Sequence, residues 1–312
     1  MRLDDMLNFR SFDGTRIAYR DAGEGPPVIL LHGLSIDGRL FGPLDRLRPA
    51  FEIIRTSIGE LGVAPTLDLP PEGRRGLAAH LLDAGARVII PDLRGHGASD
   101  KPHDPAAYSR SAIARDVVAL ADRLNLGSFA AVGYSLGAIT TAKLLVLEPA
   151  RMTSAVLAGI GKAMIEGEEL DIPPSHPAAR LLKPVTMRAY SDFVADELAR
   201  ENPTPDDPGA SYVLLARATG SDVEAVAAAI RGDGAEQIPA AALRSLSLPV
   251  LLLNGRNDPA DRATGPLLHA LPNAHARTCE GDHLSTPWQP SFQEAVVAFF
   301  TEQWRRPRQT RR

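Results

Sequence analysis

The sequence has little of several things that would point to particular classes of protein. Cys279 is its only cysteine, so an intramolecular disulfide is excluded and a cysteine-built metal site is not expected. Neither sign of charge is in excess, because 34 Lys and Arg stand against 38 Asp and Glu for a formal net charge of -4. That balance removes the main electrostatic reason to expect a nucleic-acid partner. No apolar run reaches the roughly 18 residues of a transmembrane helix.

The first residues are not expected to form a leader. Residues 1–5 contain Asp4 and Asp5 and no apolar segment, which is unlike a signal peptide, so we expect a soluble, cytoplasmic protein. What is present is ordinary for a globular chain, with 44% hydrophobic and 23% charged residues. A length of 312 residues suits one large α/β domain with an insertion.

Short, fully apolar runs alternate with helical patterns along the chain. Such runs are typical of strands buried on both faces of a parallel sheet. A hairpin is predicted over 9–21, with its turn at Asp13-Gly14. Apolar residues spaced by three and four predict helices over 109–124, 135–147 and 291–304. The predicted strands after the hairpin are 28–31, 87–90, 129–132, 154–157, 250–253 and, more weakly, 276–279. This alternation predicts an α/β fold with a mostly parallel sheet flanked by helices.

Two stretches interrupt the alternation and define the predicted domains. Residues 162–247 have proline-rich joints and helical patterns around 178–200 and 221–230, which predicts a helical cap inserted into the main domain. Residues 44–73 form an extra insertion, in which a helical pattern again leads into an apolar run, and its role does not follow from the sequence. The core is then 1–161 with 248–304, and the arginine-rich 305–312 is a flexible, solvated tail.

One pentapeptide carries the strongest chemical signal. Gly-Tyr-Ser-Leu-Gly at 133–137 follows a predicted strand and opens a predicted helix, which is the context of a nucleophile elbow. A serine at so tight a turn has a strained backbone, and the flanking glycines leave room for the neighbouring strand and helix. Ser135 is therefore the candidate nucleophile.

A serine hydroxyl needs a base, and the base needs an acid that orients it. His283 follows the last predicted strand, and Asp258 follows the strand at 250–253. Each candidate thus comes after the carboxyl end of its own strand, where open parallel sheets place their ligands. Asp282 and Asp261 are rival acids, but adjacency to His283 directs the Asp282 side chain elsewhere.

Acyl chemistry also needs donors for a developing oxyanion. The backbone N–H of Leu136, directly after the nucleophile, supplies one donor. The second is expected in the turn after strand 28–31, where Gly33 allows a close approach and Leu34 offers its N–H. His32 is interpreted as bracing this loop.

Together these segments resemble the α/β-hydrolase superfamily, specifically its capped serine esterases and lipases. The resemblance covers roughly 9–160 and 248–300 and rests on Leu-Leu-His-Gly at 30–33, Pro-Asp-Leu-Arg-Gly-His-Gly at 91–97, the elbow, Asp258 and His283. It implies an eight-stranded sheet, the triad order Ser135, Asp258, His283, and a structural turn at 92–97. The extra segment after Gly33 and the Gly-Asp-His form of the histidine motif depart from the family's usual pattern.

Members of this superfamily differ in their nucleophile, and a serine favours acyl transfer over the aspartate-based dehalogenases and epoxide hydrolases. We therefore predict a hydrolase of carboxylic esters with small or medium acyl chains. The alternatives are a C–C bond or enol-lactone hydrolase with the same triad, a cofactor-free haloperoxidase-like perhydrolase, and a ligand receptor that has lost turnover. Phosphate-binding glycine loops and metal-ligand spacings are absent from the sequence, so no cofactor or metal is expected. The expected partner is a small-molecule substrate, and a homo-oligomer is left open.

Overall fold

The computed structural model has a mostly parallel sheet of eight strands with helices on both faces, as the α/β prediction required. It describes residues 5–50, 75–165, 182, 186–199, 210–234, 236–258 and 264–305. The strands are β1 (Leu7–Arg10), β2 (Arg16–Ala22), β3 (Pro27–Leu31), β4 (Arg87–Pro91), β5 (Phe129–Tyr134), β6 (Met152–Ala158), β7 (Val250–Gly255) and β8 (Ala274–Cys279). The α-helices in these ranges are α1 (Leu77–Asp83), α2 (Arg110–Arg123), α3 (Leu136–Leu147), α4 (Met187–Leu198), α5 (Ala210–Thr219), α6 (Val223–Gly234), α7 (Ala240–Arg244), α8 (Gly265–Ala270) and α9 (Pro290–Arg305).

The strand order across the sheet is β1-β2-β4-β3-β5-β6-β7-β8. Strands β1 and β2 form the predicted antiparallel hairpin, and β2 also runs antiparallel to β4. Gly14 in the hairpin turn has a φ of 87°, a left-handed conformation that glycine adopts without a steric penalty. All neighbours from β4 to β8 are parallel, so their carboxyl ends meet at one edge of the sheet.

Both faces of the sheet are covered by helices. Ile29 and Leu31 of β3 pack in a core with residues of α2 and α3, whereas Val28 and Leu30 pack on the opposite face with residues of α1 and α9. Successive strand residues point to opposite faces, so a strand covered on both sides is apolar at every position. This explains the uninterrupted apolar runs of the sequence.

The helices α4, α5 and α6 lie between β6 and β7 in the chain and share an apolar cluster of their own. Its buried members are Val194, Ala195, Leu198, Val213, Ala216, Val226 and Ala227. Several polar contacts join this part of the chain to the sheet domain, among them those from Arg110 to Asp233 and from Lys143 to Glu236. The division into a core and a cap stays a prediction.

Parts of the other predicted segments lie outside the described residues. The 44–73 insertion is described up to residue 50, with a short 3-10 helix at Leu44–Arg46, and 51–73 is not described. Of the predicted tail, only Arg305 is described, at the end of α9. Cys279 is buried at the end of β8, where its thiol lies 3.4 Å from the carbonyl oxygen of Asn254. No helix within the described ranges combines the length and apolar character of a membrane span.

Candidate active site

The predicted nucleophile occupies a strained turn between β5 and α3. Ser135 has a φ of 54° and a ψ of -114°, a conformation that non-glycine residues rarely adopt. A Cβ on Gly133 would lie 2.1 Å from the carbonyl oxygen of Gly137, and a Cβ on Gly137 would lie 1.9 Å from that of Leu31. Both positions therefore require glycine, which explains the spacing of the pentapeptide.

The three predicted polar side chains meet at the carboxyl edge of the sheet. Asp258 follows β7 and His283 follows β8. The Nδ1 of His283 lies 2.8 Å from Oδ2 of Asp258, and its Nε2 lies 3.1 Å from Oγ of Ser135. With its Nδ1 proton donated to the buried carboxylate, the neutral ring presents the lone pair of Nε2 to the serine hydroxyl, which donates to it.

The surroundings of His283 act on its pKa in two directions. Partial burial of the imidazole lowers the pKa, whereas the charge of Asp258, its hydrogen bond to Nδ1 and the more distant charge of Asp282 raise it. The net effect is a pKa above the ordinary value of 6.5. Since 42% of the His283 side chain is exposed, solvent moderates each of these contributions.

The rival acid Asp282 has a different structural role. Its Oδ1 accepts hydrogen bonds from the N–H groups of Leu284 and Ser285, at 2.9 and 2.8 Å, and from the Ser285 hydroxyl at 2.9 Å. The carboxylate thus caps the turn that follows His283, and the carboxylate in contact with the imidazole is that of Asp258. The second rival, Asp261, lies outside the described residues.

Tyr134 is a neighbour of the site that the sequence did not reveal. Its hydroxyl donates to the backbone carbonyl of His283 at 2.7 Å, and the two ring centroids lie 5.5 Å apart. Burial raises the pKa of this phenol well above its usual value, so the hydroxyl keeps its proton and remains a donor. Gly159 makes room for both rings, because a Cβ there would lie 3.0 Å from Cζ of Tyr134 and 3.2 Å from Cε1 of His283.

His32 orients the peptide bond of the predicted oxyanion loop. The Leu93 N–H donates to Nε2 of His32 at 2.9 Å, so the ring proton is on Nδ1, which donates to the carbonyl of Gly33 at 2.8 Å. Burial lowers the pKa of His32 and keeps the ring neutral. In a trans peptide the N–H points opposite the carbonyl, so the N–H of Leu34 is directed away from His32.

The backbone positions of the two predicted oxyanion donors flank the serine. Leu136 is the first residue of α3, where a helix leaves its N–H groups without intrahelical partners. On the other side, Gly33 is close enough that an added Cβ would lie 3.4 Å from Cβ of Ser135. The donor roles of Leu34 and Leu136 stay predictions.

The turn after β4 is held by polar contacts within the turn and to the loop after β3. The two carboxylate oxygens of Asp92 accept the N–H groups of Gly38 and Ala98, at 3.0 and 2.9 Å. Burial lowers the pKa of His96 to about 3, and its Nδ1 contacts the carbonyl of Arg94 at 3.0 Å. These contacts are those of a structural turn. Among the described residues, no group of three His, Cys, Asp or Glu side chains is placed to hold a metal ion.

Comparison with known proteins agrees with this fold. The family described as alpha/beta hydrolase fold matches residues 26–285. The match spans most of the chain, and the protein belongs to this family.

Individual relatives have different names at low sequence identity. 3-Oxoadipate enol-lactonase 2 of Acinetobacter baylyi is 28% identical over 216 residues, covering 68% of this chain and 77% of that protein. A haloalkane dehalogenase of Mycolicibacterium paratuberculosis is 26% identical over 309 residues, covering 91% of this chain and 87% of that protein. The structure of a thermophilic esterase from Thermogutta terrifontis aligns with a TM-score of 0.64 at 20% identity, and the alignment covers 96% of this chain and 99% of that protein.

Proposed function

We propose that the protein is a serine hydrolase that cleaves carboxylic esters of small or medium acyl chains, with Ser135, His283 and Asp258 as its catalytic triad. One observation carries the proposal: His283 lies within hydrogen-bond distance of the serine hydroxyl on one side and of a buried carboxylate on the other. That arrangement is what activates a serine for attack on a carbonyl carbon.

In the first half of the reaction, Ser135 Oγ attacks the ester carbonyl carbon while Nε2 of His283 takes the hydroxyl proton. The carbonyl electron pair moves to oxygen, where the N–H groups of Leu34 and Leu136 stabilise the charge. When this intermediate collapses, the bond to the alkoxide breaks and the imidazolium protonates the leaving alcohol. Asp258 stabilises the imidazolium throughout, and an acyl group stays on Ser135.

In the second half, water replaces the alcohol. His283 removes a proton from the water as it attacks the acyl carbon, and the same two N–H groups hold the second oxyanion. Collapse expels Ser135 Oγ, which regains its proton from His283 and releases the carboxylic acid. No cofactor or metal takes part in this sequence.

The nucleophile argues against the activity of the dehalogenase relative. An aspartate that displaces a halide forms an ester, which water can hydrolyse. A serine would form an ether with the alkyl carbon, and an ether has no carbonyl for water to attack. Ser135 therefore fits substrates that already contain an acyl carbon.

Enol-lactone hydrolysis is the second candidate, favoured by the enol-lactonase relative. A lactone is a cyclic ester, so the same triad and oxyanion donors apply. The difference is that the leaving enolate remains attached to the acyl group. Selection between open and cyclic esters would then depend on the shape of the pocket.

The cap prediction is part of this proposal. We assign the cap to 162–247, supported by the separate apolar cluster of α4, α5 and α6. The side chain of Leu34 packs against this cluster, so these helices lie next to the proposed oxyanion loop. A cap in this position would shape the acyl pocket.

The experiment that tests the proposal pairs labelling with turnover. A fluorophosphonate probe should modify the wild-type protein at Ser135, and p-nitrophenyl esters of graded chain length should be hydrolysed. Ser135→Ala should abolish labelling and lower turnover by several orders of magnitude at unchanged thermal stability. An enol-lactone substrate in the same panel distinguishes the second candidate. A folded wild-type protein that neither labels nor hydrolyses any substrate would contradict the proposal.

A further inference from the structure

Thr219, the last residue of α5, contacts the loop after β3 through two of its atoms. Its hydroxyl donates to the carbonyl of Ser35 at 2.7 Å, and its own carbonyl accepts from Nη2 of Arg39 at 2.8 Å. Ser35 and Thr219 are both buried. The contacts therefore join the helical segment between β6 and β7 to the loop that begins with Leu34.

Both partners of this contact are themselves fixed. Asp37 accepts Nε of Arg39 on its two carboxylate oxygens, at 2.9 and 3.0 Å, and also accepts the Arg39 N–H at 2.9 Å. On the helix side, Gly220 has a φ of 74° and ends α5 directly after Thr219. The Arg39 side chain is thus held by Asp37, and the Thr219 carbonyl that it contacts is held at the end of α5.

Ser35 has a backbone conformation that needs such support. Its φ of 60° lies in the left-handed region, which is unfavourable for residues with a side chain. Its carbonyl is held by Thr219, while the carbonyl of Gly33 is held by His32. Leu34 lies between these two fixed carbonyls, and its side chain packs against the apolar cluster of α4, α5 and α6.

We infer that Thr219 is a positioning residue for the oxyanion site. By holding the Ser35 carbonyl, it keeps the N–H of Leu34 aimed at the position where negative charge develops on the substrate. The helical segment would then complete the oxyanion site as well as cover it. This inference rests on the proposed function, because it takes Leu34 as an oxyanion donor.

The Thr219 hydroxyl would still have an acceptor if its hydrogen bond to the Ser35 carbonyl were lost. The Thr219 hydroxyl has one proton but several polar neighbours besides Ser35: the carbonyls of Leu215 and Ala216 lie 2.8 and 3.0 Å away within α5, and Oγ of Ser221 lies 2.9 Å away. If the bond to Ser35 is lost, the hydroxyl can rotate and donate to the Leu215 carbonyl instead.

The test compares Thr219→Val, which removes the hydroxyl at nearly constant volume, with Thr219→Ser, which keeps it. An oxyanion donor acts in the transition state, so Thr219→Val should lower kcat and kcat/KM alike, by about tenfold, with little change in KM. Thr219→Ser should recover most of the loss. Normal kcat in Thr219→Val, a change in KM alone, or an equal loss in both variants would overturn the inference.

A second variant, Arg39→Lys, and a second measurement, the rate of fluorophosphonate labelling, separate the role of Thr219 from misfolding and from an incorrect substrate assignment. Arg39→Lys keeps the charge beside Asp37 but loses the planar fork that spans Asp37 and the Thr219 carbonyl, so it should lower kcat in the same sense. Fluorophosphonate labelling of Ser135, scaled to the folded fraction, should slow in step with kcat because the phosphoryl oxygen uses the same donors. If the wild type labels but hydrolyses no ester, the substrate assignment fails while the labelling rates still decide the role of Thr219.

Discussion

At the scale of single residues, the contact between His283 and Asp258 controls the protonation state of the proposed base. Only the neutral imidazole can take the serine proton, and the carboxylate favours the charged form. The pKa of His283 is raised above 6.5, so protonation sets in at a higher pH than it does for a free histidine. Activity should consequently be lost as the pH falls through this raised value.

We therefore expect kcat/KM to decline about tenfold per pH unit below an apparent pKa that lies above 6.5. Asp258→Asn should move this acid limb to lower pH and reduce the plateau by about three orders of magnitude or more, since the imidazole loses its orienting charge. Asp45→Asn is the matched control, because the Asp45 side chain is 75% exposed. The pH profile of p-nitrophenyl ester hydrolysis measures both effects. An unshifted limb in Asp258→Asn would refute the assignment of the acid.

Tyr134, the last residue of β5 and the residue before Ser135, donates a hydrogen bond to the backbone carbonyl of His283. Tyr134→Phe keeps the ring and removes the bond to the His283 carbonyl, so we expect about 1 kcal/mol less stability and a severalfold lower kcat at similar KM. Tyr108→Phe is the matched control, because its hydroxyl makes the same kind of bond, at 2.6 Å, to the carbonyl of Pro102. Thermal unfolding and steady-state kinetics measure the two effects. Equal kcat values in the two variants would show that Tyr134 serves stability alone.

The residues that could be predicted from the sequence differ physically from those that could not. Ser135, Asp258 and His283 are chemically distinctive and each follows the end of a strand, so their positions pointed to one edge of the sheet. Tyr134 and Thr219 act on backbone carbonyls 149 and 184 positions away, and a carbonyl has no sequence signature. Such contacts become visible only when the chain is folded.

At the scale of elements, the turn between β5 and α3 depends on close backbone contacts. A methyl group at Gly137 would lie 1.9 Å from the carbonyl oxygen of Leu31. Alanine would gain about 1 kcal/mol in helix propensity, but β3 or α3 would have to shift to admit it. We expect the steric effect to dominate.

Gly137→Ala should lower the free energy of unfolding by about 2–4 kcal/mol, measured by urea denaturation. The control is Gly127→Ala, in the loop before β5, where an added Cβ meets nothing within 4 Å. That variant should change stability by less than about 1 kcal/mol. Comparable losses in the two variants would mean that the tight approach to β3 is not what requires glycine.

Strands whose residues are all buried were predicted more accurately than the exposed strand at the edge of the sheet. The run at 250–253 is buried at every position, and the observed strand is Val250–Gly255. The run at 276–279 was a weaker signal, and the observed strand begins earlier, at Ala274. Strand β8 is at the edge of the sheet, and most of its residues are exposed, so its first residues do not need to be apolar.

At the scale of the whole molecule, local patterns indicated the elements but not their order in space. Strand β3 lies between β4 and β5, an arrangement that no periodicity in the sequence encodes. The resemblance to a known family supplied the expectation of an eight-stranded sheet. The buried pair of Arg110 and Asp233 was equally hidden, because a charge in a sequence is ordinarily a surface residue until its partner is known.

The solitary thiol at the end of β8 gives the molecule an internal chemical reporter. Alkylation of Cys279 can give only one product, and its burial means that a reagent must wait for the strand edge to open. The residue is four positions before His283. The rate of Cys279 alkylation therefore reports how often the end of β8, which precedes the proposed base, opens to solvent. Such a measurement needs no knowledge of the substrate.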